Sequence, residues 1–298
     1  LFRTADHRYN SGMFSGNDII FDLSCDVISE MIEGLYYPQS PYLFNIIEPH
    51  VLGKIYELFL TEQLVALKDG SIGLQQKKEC VNRSVVTTPT EIVKYMVEKT
   101  LTKACAEKTP KELLKIRIAD IACGSGVFLE EVFSYLQNYC VQWYLNAGQK
   151  EHLEEIGNHV YKLPLSEKKE ILCSCIYGID IDIHAAEVAK FSLLIKLIEG
   201  ETAPSVALVT PILPDLSANI FFGNALVSEK EMQGILNAES QRLDLVPFDW
   251  KKINKGEFFD VIIGNPPYVM RFFPVVKSKS TGKSIERRIS NLISTLFL

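Results

Sequence analysis

The residues that invite chemistry sit in the stretch VIIGNPPYV, residues 261–269. Val and Ile in succession read as a buried strand. Two prolines cannot continue it, because neither donates a ladder hydrogen bond. Asn265, Pro266, Pro267 and Tyr268 are therefore predicted to form a rigid loop at the strand tip. Their types suit one task. An exocyclic aromatic amine is a poor nucleophile, because its lone pair is delocalised into the ring. Two acceptors set against its N–H bonds would draw the nitrogen toward tetrahedral geometry and stabilise the charge that develops on attack. The side-chain carbonyl of Asn265 supplies one acceptor, and the backbone carbonyl of Pro266, aimed by the Pro-Pro unit, supplies the other. The ring of Tyr268 offers a flat surface for a base. A turn that merely ends a strand is the alternative, and it would not require all four residues.

The elements that must position this loop are legible upstream. Strands are predicted at 116–122 (IRIADIA), 175–181 (CIYGIDI), 218–226 (ANIFFGNAL) and 258–265 (FFDVIIGN), with helices at 87–101, 127–145 and 185–200 between them. For the first helix Thr88 is expected to cap, with Pro89 at the first helical position and Glu91 completing a capping box; Val93, Met96, Val97 and Leu101 then form its apolar stripe. Strands alternating with helices argue for an α/β, Rossmann-like fold with a parallel sheet covered on both faces. Before it, residues 1–85 read as a mainly helical segment. Its clearest element is 52–64, where Leu52, Ile55, Tyr56 and Phe59 share a helical face, followed by a polar loop or short hairpin.

In such sheets ligands bind beyond the carboxyl ends of the strands, where strand order reverses. After the first strand, Gly124 and Gly126 give a tight turn that a ligand can approach closely, and the following helix offers free N–H groups. The third glycine of a dinucleotide fingerprint is replaced by Leu129. Asp120 would repel a pyrophosphate and favour a cationic ligand. After the second strand, Asp180 is placed to hold ribose hydroxyls, with Ile181 beside it to cover an adenine face; capping of the next helix by Asp180 or Asp182 is the alternative. After the third, Asn224 could hydrogen-bond an adenine edge. Together the three ends describe an adenosine site that avoids a pyrophosphate.

Composition sets the bounds. With 47 % hydrophobic and 23 % charged residues the chain has ample material for a core. Its net charge of −6 is not the profile of a dedicated nucleic-acid binder. The basic residues Arg271, Lys277, Lys279, Lys283, Arg287 and Arg288 nevertheless crowd one stretch, readable as a solvated loop or as a DNA-facing one. Seven cysteines in no zinc-like spacing suggest reduced thiols and no metal site. No apolar run reaches membrane-spanning length and no signal peptide is visible, so a cytoplasmic location is expected.

The segments TTPTEIVKYMV, DIACGSGVFL, YGIDID, FFGNAL and FDVIIGNPPYV occur in the order seen in N6-adenine-specific DNA methyltransferases. More narrowly the chain resembles the methylase part of type IIG restriction–modification enzymes and related phage-exclusion methylases, and LGKIYELFL and LPDLSANI extend the likeness over nearly the whole chain. The resemblance implies S-adenosylmethionine as methyl donor, double-stranded DNA as partner and no metal for methyl transfer. Thr88 and Pro89 would touch the donor's methionine end. Asp120, Ala122, Cys123, Gly124, Ser125 and Gly126 would wrap it, with Phe128 nearby. Asp180 would hold its ribose, and Ile181, Asn224 and Ala225 its adenine. Asn265, Pro266, Pro267 and Tyr268 would grip a flipped-out adenine.

Two departures stand out: Val86 and Thr87 replace the family's usual aromatic pair, and Ile121 stands at a usual proline. Neither removes a polar group the mechanism needs. Residues 86–298 are expected to be a methyltransferase domain truncated after its fourth strand, without a target-recognition domain, as part of a longer enzyme that is inactive when cut here. Three alternatives use the same residues differently. A glutamine or RNA methyltransferase would share Asn-Pro-Pro-Tyr but not the Thr-Pro helix. A non-catalytic DNA-binding module would not need intact Asp120, Asp180 and Asn265. A nicotinamide dehydrogenase would share the sheet but has no use for this loop.

Overall fold

The computed structural model describes residues 22–40, 51, 55, 62–67, 70–76, 88–202, 205–206, 211–225, 246–250, 253 and 259–266. Pro267, Tyr268 and the basic residues from Arg271 to Arg288 lie outside the described residues.

The sheet is built around β3 (Ile118–Asp120), whose three residues are all buried. On one side it pairs in parallel with β6 (Ile176–Asp180), which pairs in parallel with β7 (Ile220–Phe222). On the other it pairs in parallel with β8 (Val261–Ile262). The order β7-β6-β3-β8 means that the chain steps outward twice, then returns past β3 to lay down β8. Such a reversal is where open α/β sheets place their ligands. The register sets Asp120 opposite Gly178, and Asp180 opposite Phe222.

Helix α1 (Cys25–Gly34) precedes the sheet in the chain, and helices α2 (Thr90–Ala104), α4 (Val127–Asn146), α5 (Leu165–Cys175) and α6 (Ile183–Ile198) carry the apolar faces that cover it. Leu129, Phe133 and Leu136 of α4, Leu193 and Leu197 of α6, and Val93, Val97 and Leu101 of α2 enter one core with Ile118 and Ile176. The apolar stripe expected for α2 is thus present, with Met96 packed at its margin. Residue spacing of three and four puts these side chains on one face, and their burial is the main favourable term in holding the layers together. A four-residue turn of helix, α3 (Pro110–Leu113), precedes β3 and carries a complete capping box between Thr109 and Glu112.

Arg117 secures β8 beside β3. Its backbone N–H donates to the Asp260 carboxylate (2.8 Å), its guanidinium donates to the Ile253 carbonyl (2.9 Å), and its head lies over the rings of Tyr177 and Phe259. The rings continue into a second apolar cluster of Ile179, Phe248 and Ile253, flanked by Trp250. Residues 246–248 fold back onto Asn224 through paired backbone hydrogen bonds, a docking that the sequence pattern did not announce.

Two expectations are corrected. The helix read over 52–64 does not run to its end: Glu62–Ala66 is strand β1, antiparallel to β2 (Ile72–Gln76). Apolar Leu64 and Val65 fit a strand pair as well as a helical stripe, and the turn after them decides. The hairpin foreseen in the polar segment therefore begins earlier, within the supposed helix. In α2 the capping residue is Pro89, whose carbonyl accepts from Ile92 and Val93 N–H, and no side chain caps. Thr88 lies one residue too early to form the capping box with Glu91, and its hydroxyl is engaged elsewhere.

A further hairpin, β4 (Glu154–Gly157) with β5 (Val160–Lys162), is tied to α5 by a buried ion cluster. Glu201 accepts from Lys162 (2.6 Å), Lys168 (2.7 Å) and the Ser205 hydroxyl (2.8 Å). Three donors to one carboxylate offset the desolvation that burial of these charges entails.

Candidate active site

All four strands of the sheet run parallel, so their carboxyl ends share one edge. Read across it, that edge carries Asn224 after β7, Asp180 at the end of β6, Asp120 at the end of β3 and Asn265 after β8. Strand order, not sequence, makes Asp120 and Asn265 neighbours.

Asp120 is 1 % exposed. One carboxylate oxygen accepts from the Ala122 N–H at 3.0 Å, which folds the chain sharply after β3. Burial, and secondarily the nearby charge of Asp180, pushes its carboxyl up to about 7. Asp180 is only partly exposed, and burial raises its pKa too. Its two oxygens accept from Gly124 N–H (2.7 Å) and Asp182 N–H (2.8 Å). Asp180 thus fastens the glycine turn of the neighbouring strand to its own. Asp182 caps α6 through the His184 N–H, so the capping alternative holds for Asp182 and not for Asp180.

The glycine turn has the backbone its sequence called for. Gly124 and Gly126 both take positive φ, 54° and 94°, where a side chain would be strained. Gly126 also lies against α6, where a Cβ would meet Ala189 at 3.1 Å. Cys123 and Ser125 are buried in the turn, and burial together with the two aspartates holds the Cys123 thiol well above its ordinary range. Phe128 is 4 % exposed and belongs to the core. Ile181 is half exposed beside Asp180. Asn224 and Ala225 are partly buried; the Ala225 carbonyl accepts from the Trp250 indole at 3.1 Å.

Two glycines make room for this arrangement. A methyl group on Gly178 would meet Leu129 at 2.7 Å and Cys123 at 3.1 Å. A methyl group on Gly264 would overlap the Asp120 carboxylate. Gly264 is therefore the space into which Asp120 fits, and this residue escaped the sequence reading although it stands inside the motif. Its signal was the glycine between an apolar strand and Asn265.

At the tip Asn265 is exposed and Pro266 half-buried. The Asn265 amide donates to Thr88 Oγ1 at 3.1 Å, joining residues 177 positions apart. Pro89, next to Thr88, is exposed. Among the described residues no group of three His, Cys, Asp or Glu side chains could hold a metal ion, and six cysteines are free thiols. Among them, too, no helix is long and apolar enough to cross a membrane.

The parallel sheet thus gathers at its carboxyl edge a glycine turn, two acidic residues and an Asn-Pro tip, the edge at which open α/β sheets bind ligands. Its relatives are specific. Residues 174–288 match the family described as Eco57I restriction-modification methylase. The chain is 42 % identical over 269 residues to the type II restriction enzyme and methyltransferase RM.Eco57I of Escherichia coli, an alignment covering 90 % of this chain and 26 % of that protein. It is 25 % identical over 270 residues to RM.MjaORFECS2P of Methanocaldococcus jannaschii, named for the same two activities, covering 73 % of this chain and 21 % of that one. It is 27 % identical over 177 residues to the adenine-specific methyltransferase BrxX of Escherichia coli, covering 48 % of this chain and 13 % of that one. The chain spans about a quarter or less of the length of these relatives.

Proposed function

We propose that this chain is the methylase portion of a restriction–modification or phage-defence enzyme, transferring a methyl group from S-adenosylmethionine to N6 of an adenine flipped out of double-stranded DNA. The observation that carries the reading is the shared sheet edge, where Asp180, Asp120 and Asn265 follow one another on adjacent strands. The 42 % identity to a restriction enzyme and methyltransferase supports it.

The residues fit the donor chemically. Both aspartates have raised pKa values, chiefly through burial, so their anionic forms lack a compensating charge. A ligand bearing a sulfonium and an ammonium group supplies that charge, whereas a pyrophosphate would aggravate the deficit. When bound, the donor supplies an electrophilic methyl group. Asp120 and the turn Ala122–Gly126 would surround it, Asp180 would receive its ribose hydroxyls and Ile181 would lie on its adenine; Asn224 and Ala225 complete that end. In this reading the sheet is the donor-binding half of a Rossmann-like class I methyltransferase, and residues 86–298 belong to that domain.

Asn265 Oδ1 and the Pro266 carbonyl would accept the two N–H bonds of the target amine. As the amine nitrogen bonds to the methyl carbon, the carbon–sulfur bond breaks and its electron pair leaves with the neutral thioether; positive charge grows on nitrogen, both acceptors stabilise it more than they stabilise the neutral ground state, and the surplus N–H proton is then lost to water. Tyr268 would stack on the flipped base, offsetting the few kcal/mol of unstacking, about the usual figure for flipping. The basic residues from Arg271 to Arg288 would face phosphate.

Incubating the complete enzyme that contains this chain with labelled S-adenosylmethionine and either DNA or a release-factor protein tests this. Label in DNA adenine is the expected result. Label in protein glutamine, or donor binding without transfer to any acceptor, overturns it. Calorimetric titration with the donor, using Asp180→Ala as control, checks the donor site separately.

A further inference from the structure

We propose that Thr88 is a positioning residue for Asn265, orienting its amide through the hydrogen bond seen between them. The inference rests on the adenine-amine reading of the Asn265 site. It gives a further role to the hydroxyl that sequence reasoning had assigned first to a helix cap and then to the donor.

Three observations carry it. Thr88 does not cap α2, since Pro89 opens that helix with its own carbonyl and no side-chain cap is made. Its Oγ1 instead accepts from Asn265 Nδ2 at 3.1 Å. Thr88 is partly buried while Asn265 is exposed, so the firmer partner holds the looser one. A free Asn side chain can present oxygen or nitrogen with nearly equal ease, because its two ends have the same shape. Only the oxygen end is an acceptor. With Nδ2 committed to Thr88, Oδ1 is the end left to face an incoming amine.

The contact also bears on the transition state. As Oδ1 accepts from a nitrogen that is gaining positive charge, amide resonance draws electrons toward Oδ1 and makes the Nδ2 hydrogens more positive. The bond to Thr88 Oγ1 then strengthens in step, a small cooperative chain of two hydrogen bonds. An interaction that tightens only as charge develops raises kcat and leaves KM for either substrate nearly unchanged.

The test compares Thr88→Val with Thr88→Ser in the native protein. Valine keeps the shape and removes the acceptor; serine restores it. Thr88→Val is expected to slow single-turnover methylation about 10-fold, the loss that follows from one hydrogen bond of ordinary strength. Donor affinity by calorimetry should stay within about 2-fold, and Thr88→Ser should recover most of the rate. An unchanged rate in Thr88→Val overturns the proposal. So does a fall in donor affinity that matches the fall in rate, which would mark Thr88 as a donor contact.

A second measurement stands apart from turnover. The side-chain amide resonance of Asn265 in a nitrogen-15 spectrum, identified by its loss in Asn265→Ala, should move in Thr88→Val and hold in Thr88→Ser. A resonance that ignores both substitutions overturns the proposal even where transfer activity is seen. Failure of the wild-type protein to label adenine, with the resonance responding as expected, would overturn the adenine reading and leave the positioning role standing.

Discussion

On the β3–β6 side of the sheet edge, Asp120 is fully enclosed and Asp180 is bound to two backbone N–H groups. On the β8 side, Asn265 is exposed and its amide is steadied from outside the sheet by Thr88. The first region is charged, glycine-lined and held by its own backbone. The second is neutral and reached from solvent. In the proposed function the first region would be the preformed half that receives the donor at each turnover, and the second the accessible half that a group of a large partner enters.

The comparison can be broken most decisively at the tip. Asn265→Ala is expected to lower the single-turnover rate by about 10²–10³, the usual consequence of removing a preorganised transition-state partner. Donor affinity should be unaffected. A parallel loss of donor binding would erase the distinction between the halves.

On the other side, Asp180→Ala should weaken donor affinity about 30-fold, roughly 2 kcal/mol for hydrogen bonds made by a charged group. Calorimetry would read it directly. An unaltered affinity with a lower rate would reverse the two assignments.

Gly264→Ala probes the boundary between the halves, since the added methyl overlaps the Asp120 carboxylate. Overpacking of this kind costs about 1–3 kcal/mol. The urea midpoint should fall accordingly, and Asp120→Ala in the same chain should relieve much of it.

The last prediction concerns pH. Burial raises Asp120 from 3.8, and Glu130 from 4.5, to about 7 in the folded protein. One carboxylate oxygen of Glu130 is buried without a hydrogen-bond partner among the described residues. In the unfolded chain both groups ionise near their ordinary values of about 4. Between those values and about 7 the folded state holds more protons, so their contribution to stability falls as pH rises and levels off above 7. Urea midpoints across that window should decline less steeply in Asp120→Asn than in the wild type. An identical slope would show that Asp120 does not titrate differently on folding, and the charged half would lose its distinguishing feature.

How much of this was legible in the sequence follows the same division. β3, β6, β7 and β8 were all visible as strands, because each belongs to a short apolar run bounded by polar or glycine-bearing turns. Asp120 and Asp180 were visible as strand-end acids for the same reason. What one chain segment does to another was not visible. Thr88 looked like a cap because Thr-Pro followed by Glu is a local signature, and only the β8 tip reveals what its hydroxyl holds. Nothing in the sequence pattern singled out Glu201, which accepts from two lysines and a serine. The helical periodicity of 52–64 overran into β1, since Leu64 and Val65 suit either period. Local chemistry was readable, and partnership across distance was not.

The path of the chain through the sheet has a consequence for synthesis. A ribosome delivers β3, β6 and β7 before β8, and β8 must then travel back to the far flank of β3. Until residues 259–265 emerge, β3 is an open edge, and a parallel edge in a growing chain is an invitation to wrong partners. The Arg117 backbone, which meets Asp260 and Val261, is the latch that waits for them. Asn265 arrives with β8, after the other three strands of this sheet. A nascent chain would thus hold Asp120 and Asp180, the acids of the proposed donor half, before it holds the asparagine proposed to meet the acceptor.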